Sequence, residues 1–237
     1  MDQINEFVDE RQKGWCIHCG GRIADLASNR DHAPSKSLLL KPYPANLPVV
    51  QVCMACNNGF SRDEEYLAAF LGAVLSGSTE QTAHLNPAGG RILGGSEGLK
   101  KRIERSKVEY KTIAGETRLL WKPEQDRINR VVVKNARGHA FFEYGEAMLS
   151  EPDSVWWMPL QVLSAEEREE FENTGMGAVW PEVGSRMLTR ALTGQDLSDG
   201  WVMVQERVYR YAVMQADGLL VRSVLSEYLA TEVHWGD

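Results

Sequence analysis

All four cysteines of this 237-residue chain lie in its first quarter, as Cys16/Cys19 and Cys53/Cys56. Two C-x-x-C pairs can close one tetrahedral thiolate site, and that site would use the whole supply. In a reducing compartment such pairs argue for a metal rather than for disulfides, and soft sulfur ligands select zinc. The run Trp15-Cys16-Ile17-His18-Cys19-Gly20-Gly21 has the form of a zinc knuckle. Its glycines let the backbone turn so that amides face the thiolates. His18, inside the knuckle, reads as a solvated tip, with ligation in place of a cysteine as the alternative.

Between the two pairs stand Asp31-His32 and Asn46-Leu47, and Asn57 directly follows the last cysteine. With these residues in place, the segment from Cys16 to about Leu71 resembles the HNH (His-Asn-His, ββα-metal) nucleases built on a treble-clef zinc scaffold. The resemblance covers the first quarter to third of the chain. It implies that His32 is the general base, that Asp31 and Asn57 ligate a catalytic Mg²⁺ or Mn²⁺, and that Asn46 holds the loop orienting the base. Cys16, Cys19, Cys53 and Cys56 would hold a structural Zn²⁺. Asn57 occupies a position that is histidine in the most familiar pattern; the family accepts asparagine there, and Asn58 is a neighbouring alternative.

The chemistry of these residue types agrees with the roles. A neutral imidazole, with an ordinary pKa near 6.5, accepts a proton from water at working pH. A carboxylate and an amide oxygen suit a hard cation that keeps positions open for substrate and water. The resemblance further implies DNA as substrate, a restriction or phage-defence setting, and a protein partner subunit or a homodimer. Two rivals stand beside it. One is a zinc-ribbon module that binds nucleic acid or protein without cutting; the other is a subunit in which the zinc unit is only a brace.

Charge narrows where nucleic acid would sit. The net charge is -7, yet residues 100–137 hold twelve Lys/Arg against five Asp/Glu, whereas residues 138–237 hold six against seventeen. Phosphate contacts are therefore expected from Lys36 and Arg62 near the site and from Lys100, Lys101 and Arg102, continuing to Arg105 and Lys107. The acidic half suits a protein partner. No apolar run is long enough to span a bilayer and the amino terminus lacks a secretory pattern, so a cytoplasmic protein without membrane contact is expected.

The expected fold class is α+β. A zinc-bound treble-clef ββα-metal domain over residues 1–78 precedes a glycine-rich linker over 79–99 and a mixed, strand-rich α/β domain over 100–237. The linker carries no Gly-Lys-Ser/Thr, which argues against a phosphate loop. Residues 1–14 read as a lead-in helix or arm. Short strands are expected at 23–26, 30–33 and 47–52, followed by a helix opened by the capping-box sequence Ser61-Arg62-Asp63-Glu64. Strands are expected at 108–113, 117–121, 130–134 and 141–144, a helix at 164–173, and a late meander over 201–206, 208–214 and 219–225. His84, His139 and His234 read as structural. Trp121, Trp156, Trp157, Trp180, Trp201 and Trp235 read as core, with base stacking as the alternative.

Overall fold

The computed structural model describes residues 1–5, 13–111, 115–175, 180–215 and 217–236, and leaves aside the side chains of Thr117 and Arg118. The lead-in segment read as a helix falls largely outside the described residues. Among the described residues the chain is α+β, with six helices and a six-stranded sheet. None of those helices is long and apolar enough to cross a membrane. Packing divides the chain into Met1–Phe60 with Val132–Asp237, and Ser61–Val131, the boundaries falling inside two long helices.

In the first unit the knuckle is closed by backbone bonds from Cys16 N to Gly21 O and from Gly20 N to Cys16 O, both 2.8 Å. Gly20 supplies the left-handed turn at φ +68°. Strand β1 (Ser28–His32) pairs antiparallel with β2 (Val49–Cys53), setting Asp31 opposite Val50 and His32 opposite Val49. Helix α1 (Met54–Ser76) follows β2 without a connecting loop. Cys16, Ile17, Ile23, Val50, Val52, Cys53 and Phe141 bury one another beneath the hairpin.

The same unit carries a fully antiparallel sheet in the order β5 (Ser154–Pro159), β10 (Leu229–Trp235), β9 (Leu219–Leu225), β8 (Tyr209–Gln215), β7 (Trp201–Gln205) and β6 (Leu197–Ser198). Phe171 of α5 (Ala165–Glu172) and Leu160 pack onto Trp201, Ala212, Val224 and Ala230 of that sheet. Helix α5 opens with a complete capping box between Ser164 and Glu167, and α6 (Arg186–Thr193) ends in a left-handed Gly194. The second unit holds α2 (Pro87–Gly95), α3 (Glu97–Arg105) and the hairpin β3 (Lys107–Lys111)/β4 (Thr117–Trp121).

Several elements differ from the sequence reading. Residues 130–134 and 141–144, expected as strands, belong to one helix, α4 (Gln125–Tyr144). Its Ile128, Val131, Val132, Ala136 and Ala140 are buried at helical spacing, so tertiary packing overrides the strand preference of the valine run. Helix α1 begins seven residues before Ser61, which leaves Ser61 and Glu64 mid-helix with no cap to form. A sulfur serves that end instead: Cys56 N donates to Cys53 Sγ at 3.4 Å. Residues 23–25 form a 3-10 turn, not a strand.

Residues 79–99, read as a linker, contain a 3-10 turn at Gln81–Ala83 and all of α2. The glycines there serve close approach: a Cβ on Gly89 would stand 2.8 Å from Ala68 O, and one on Gly90 2.6 Å from Gln81 O.

Candidate metal centre

Two backbone turns bring the cysteines together, the knuckle at 16–19 and the β2–α1 junction at 53–56. The four Sγ atoms lie within 4.8 Å of one another. Cys19 Sγ and Cys53 Sγ are 3.8 Å apart, close to the edge of about 3.8 Å that follows for a tetrahedron with metal–sulfur bonds of about 2.3 Å. Burial raises the Cys16 thiol, but the amides of Cys53, His18 and Cys19 more than offset it and hold it at about 7. Burial and then the adjacent Cys53 sulfur push the Cys56 thiol up. Four cysteine sulfurs this close could hold a metal ion, and a Cys₄ set of this size suits zinc.

Above this cluster, β1 delivers Asp31 and His32 in succession, so their side chains leave opposite faces of the strand. Asn29 shares the face of Asp31. Asn57, in the first turn of α1, donates through Nδ2 to Asn29 Oδ1 at 3.0 Å. The site is thereby tied across the strand and the helix that carry its two oxygen-bearing residues. His32 is half-buried; burial first, and the Lys36 ammonium second, hold its imidazole below the ordinary value. At neutral pH it is a neutral proton acceptor.

Asp31 is nearly buried and already engaged. Lys134 Nζ on α4 lies 2.9 Å from Asp31 Oδ1, and also donates to Ser35 Oγ at 2.9 Å and to His32 O at 3.3 Å. Asn135 Oδ1 accepts from the Ser35 amide at 3.3 Å and its hydroxyl at 3.2 Å, fixing the same loop. Burial pushes the Asp31 carboxyl up, but the His18 ring and the Lys134 ammonium together more than offset it and hold it below the usual range. His18 itself, expected at a solvated tip, turns inward with its side chain 2 % exposed; Nε2 stands 3.8 Å from Asp31 Oδ2. The ring meets Phe60 edge-on at 4.8 Å between centroids, and this apolar contact explains its inward turn.

Asn46 is exposed and donates through Nδ2 to Met1 O at 2.9 Å, so its amide is engaged by the first residue of the chain. Lys36 is exposed beside His32, and both Lys36 and Lys41 point at the Tyr43 ring, 5.5 and 5.8 Å from its centroid. In the other unit, Arg62 is exposed and its carbonyl accepts from Arg127 Nη2. Lys100 pairs with Glu80 at 2.8 Å, Lys101 with Glu97 at 3.4 Å and Arg102 with Glu124 at 2.9 Å.

The sequence motifs do not include Lys134, Asn29, Lys41 or Tyr43, which the fold brings to the site. A lysine following Val131-Val132-Val133 was the available sign of a buried, paired charge. Nothing local pointed to Asn29. Of the isolated histidines, His84 Nε2 lies 2.9 Å from Ser78 O, His139 Nε2 lies 3.0 Å from Tyr209 Oη and His234 Nε2 lies 3.1 Å from Asp217 O. Trp201 and Trp235 are buried, whereas Trp180 is 63 % exposed. Compared with protein-family models, with curated proteins and with solved structures, the chain gives no match.

Proposed function

We propose that this chain is a metal-dependent HNH-type endonuclease that hydrolyses DNA phosphodiester bonds. The observation that carries the reading is a β-hairpin running straight into a helix over four clustered cysteines, with Asp31 and His32 closing β1 and Asn57, joined to Asn29, opening α1. His32 takes the proton from the attacking water on a ring nitrogen. Its lowered proton affinity keeps that nitrogen available at neutral pH. Asp31 and Asn57 would hold Mg²⁺ or Mn²⁺, which supplies charge stabilisation to the crowded phosphate and the departing 3′ oxygen. Cys16, Cys19, Cys53 and Cys56 would hold Zn²⁺ as scaffold. A restriction or phage-defence setting, with a partner subunit or second copy, accords with the acidic residues of 138–237.

A second reading, a zinc module that binds without cutting, is favoured by one observation: the Asp31 carboxylate is already paired with Lys134. Plasmid cleavage by zinc-replete protein in Mg²⁺ and in Mn²⁺ separates the two. Nuclease action requires cutting that falls about 10²- to 10⁴-fold in folded, zinc-replete His32→Ala. Duplex binding with no cutting in either metal, or cutting that His32→Ala leaves intact, sinks the hydrolytic assignment.

A further inference from the structure

We infer that His18 is a nitrogen ligand of the catalytic cation, sharing it with Asp31; this rests on the nuclease reading and deepens it. The His18 side chain is 2 % exposed, and neither Nδ1 nor Nε2 has a hydrogen-bond partner. Buried imidazoles ordinarily satisfy at least one nitrogen, so an unsatisfied pair points to a missing ligand. The zinc cluster does not need it, because four thiols already complete a tetrahedral set.

The Asp31 carboxylate faces His18, with Nε2 and Oδ2 3.8 Å apart. That separation is too long for a hydrogen bond. It is short enough for one cation bonded to both, since two bonds of about 2.1 Å span at most about 4.2 Å. Lys134 occupies the other oxygen, Oδ1, and leaves the Oδ2 side to the cation. An imidazole ligand also changes metal choice. A mixed nitrogen and oxygen set favours Mn²⁺ over Mg²⁺, which takes oxygen almost alone.

The test is Mn²⁺ titration of the full-length, zinc-replete protein, read by electron paramagnetic resonance for affinity and for nitrogen coupling to the bound ion. Wild type should bind Mn²⁺ with imidazole-nitrogen coupling, and more tightly than Mg²⁺ measured by competition. His18→Ala should lose that coupling and weaken Mn²⁺ about 10- to 100-fold while keeping one zinc per chain. Asp31→Asn should abolish binding. If His18→Ala keeps both affinity and coupling while Asp31→Asn loses binding, His18 is not a ligand and the nuclease site stands without it. If Asp31→Asn binds as wild type does, or wild type binds no Mn²⁺, the cation assignment falls with it. The wild-type spectrum decides even where His18→Ala fails to fold: bound Mn²⁺ without nitrogen coupling overturns the inference.

Discussion

Lys134 sits where a lysine is rarely found, with its side chain 1 % exposed and Asp31 facing it at 2.9 Å. Removing one partner of such a pair leaves an uncompensated buried charge, whereas replacing both with apolar groups removes the problem. Lys134→Met should therefore lower unfolding free energy by about 3–5 kcal/mol in urea melts, and Asp31→Leu/Lys134→Met by clearly less. His139 is buried completely and stacks on Tyr211, ring centroids 3.8 Å apart, with the Lys134 charge also acting on it. Burial holds its pKa at about 3 instead of the ordinary 6.5. Between those values the unfolded chain binds a proton that the folded chain refuses. This contribution is whole above pH 6.5 and is lost as pH falls, at up to about 1.4 kcal/mol per unit. Urea unfolding from pH 7 to 4 should show that slope in wild type and a shallower one in His139→Gln. At this scale the sequence was legible for cysteines, whose spacing names their chemistry. It was opaque for Lys134 and His18, whose roles depend on partners far away in the chain or on the direction a ring turns.

The elements that were legible are those whose pairing is local. The hairpin β3/β4 and the strands β7, β8 and β9 are runs rich in β-branched and aromatic residues that meet their neighbours across short turns. Strand β5 was missed because its partner β10 lies some seventy residues on, and its register, Trp157 opposite Thr231, has no local signal. Helix α4 was misread because Val131-Val132-Val133 favours strands in isolation, while burial of one helical face decided otherwise. Glycines misled in a similar way over 79–99. They read as flexibility, yet Gly89 and Gly90 are packed against backbone. Gly98, within α3, has nothing within 4 Å of an added Cβ. Gly98→Ala should thus raise stability by about 0.5–1 kcal/mol, through helix propensity alone. Gly89→Ala should lower it by about 1–3 kcal/mol, because Ala68 O cannot move without disturbing α1. Thermal melts of the two variants should shift in opposite directions.

Across the whole molecule, net charge is a poor guide to where DNA would lie, because what matters is which cations are already neutralised. The run at 100–107 looks basic in sequence, but Lys100, Lys101, Arg102 and Lys107 each pair with a carboxylate, Glu80, Glu97, Glu124 and Glu104 respectively. Lys36 and Lys41 differ. They converge on one aromatic ring in the β1–β2 connection, and among the described residues no carboxylate is seen in ion-pair range of either. A lysine that meets phosphate releases about one counterion, so each contact contributes about 0.9 to the slope of log affinity against log salt concentration on duplex DNA. Binding by the His32→Ala protein, followed by fluorescence anisotropy across a salt series, should lose about one unit of slope for Lys36→Ala and a similar amount for Lys41→Ala. Lys100→Ala/Lys101→Ala/Arg102→Ala should change it by well under the three contacts its charge count suggests, since binding there must first break three ion pairs. A loss of nearly three units in that triple variant, with Lys36 and Lys41 silent, would move the phosphate-tracking surface from the β1–β2 connection to α3.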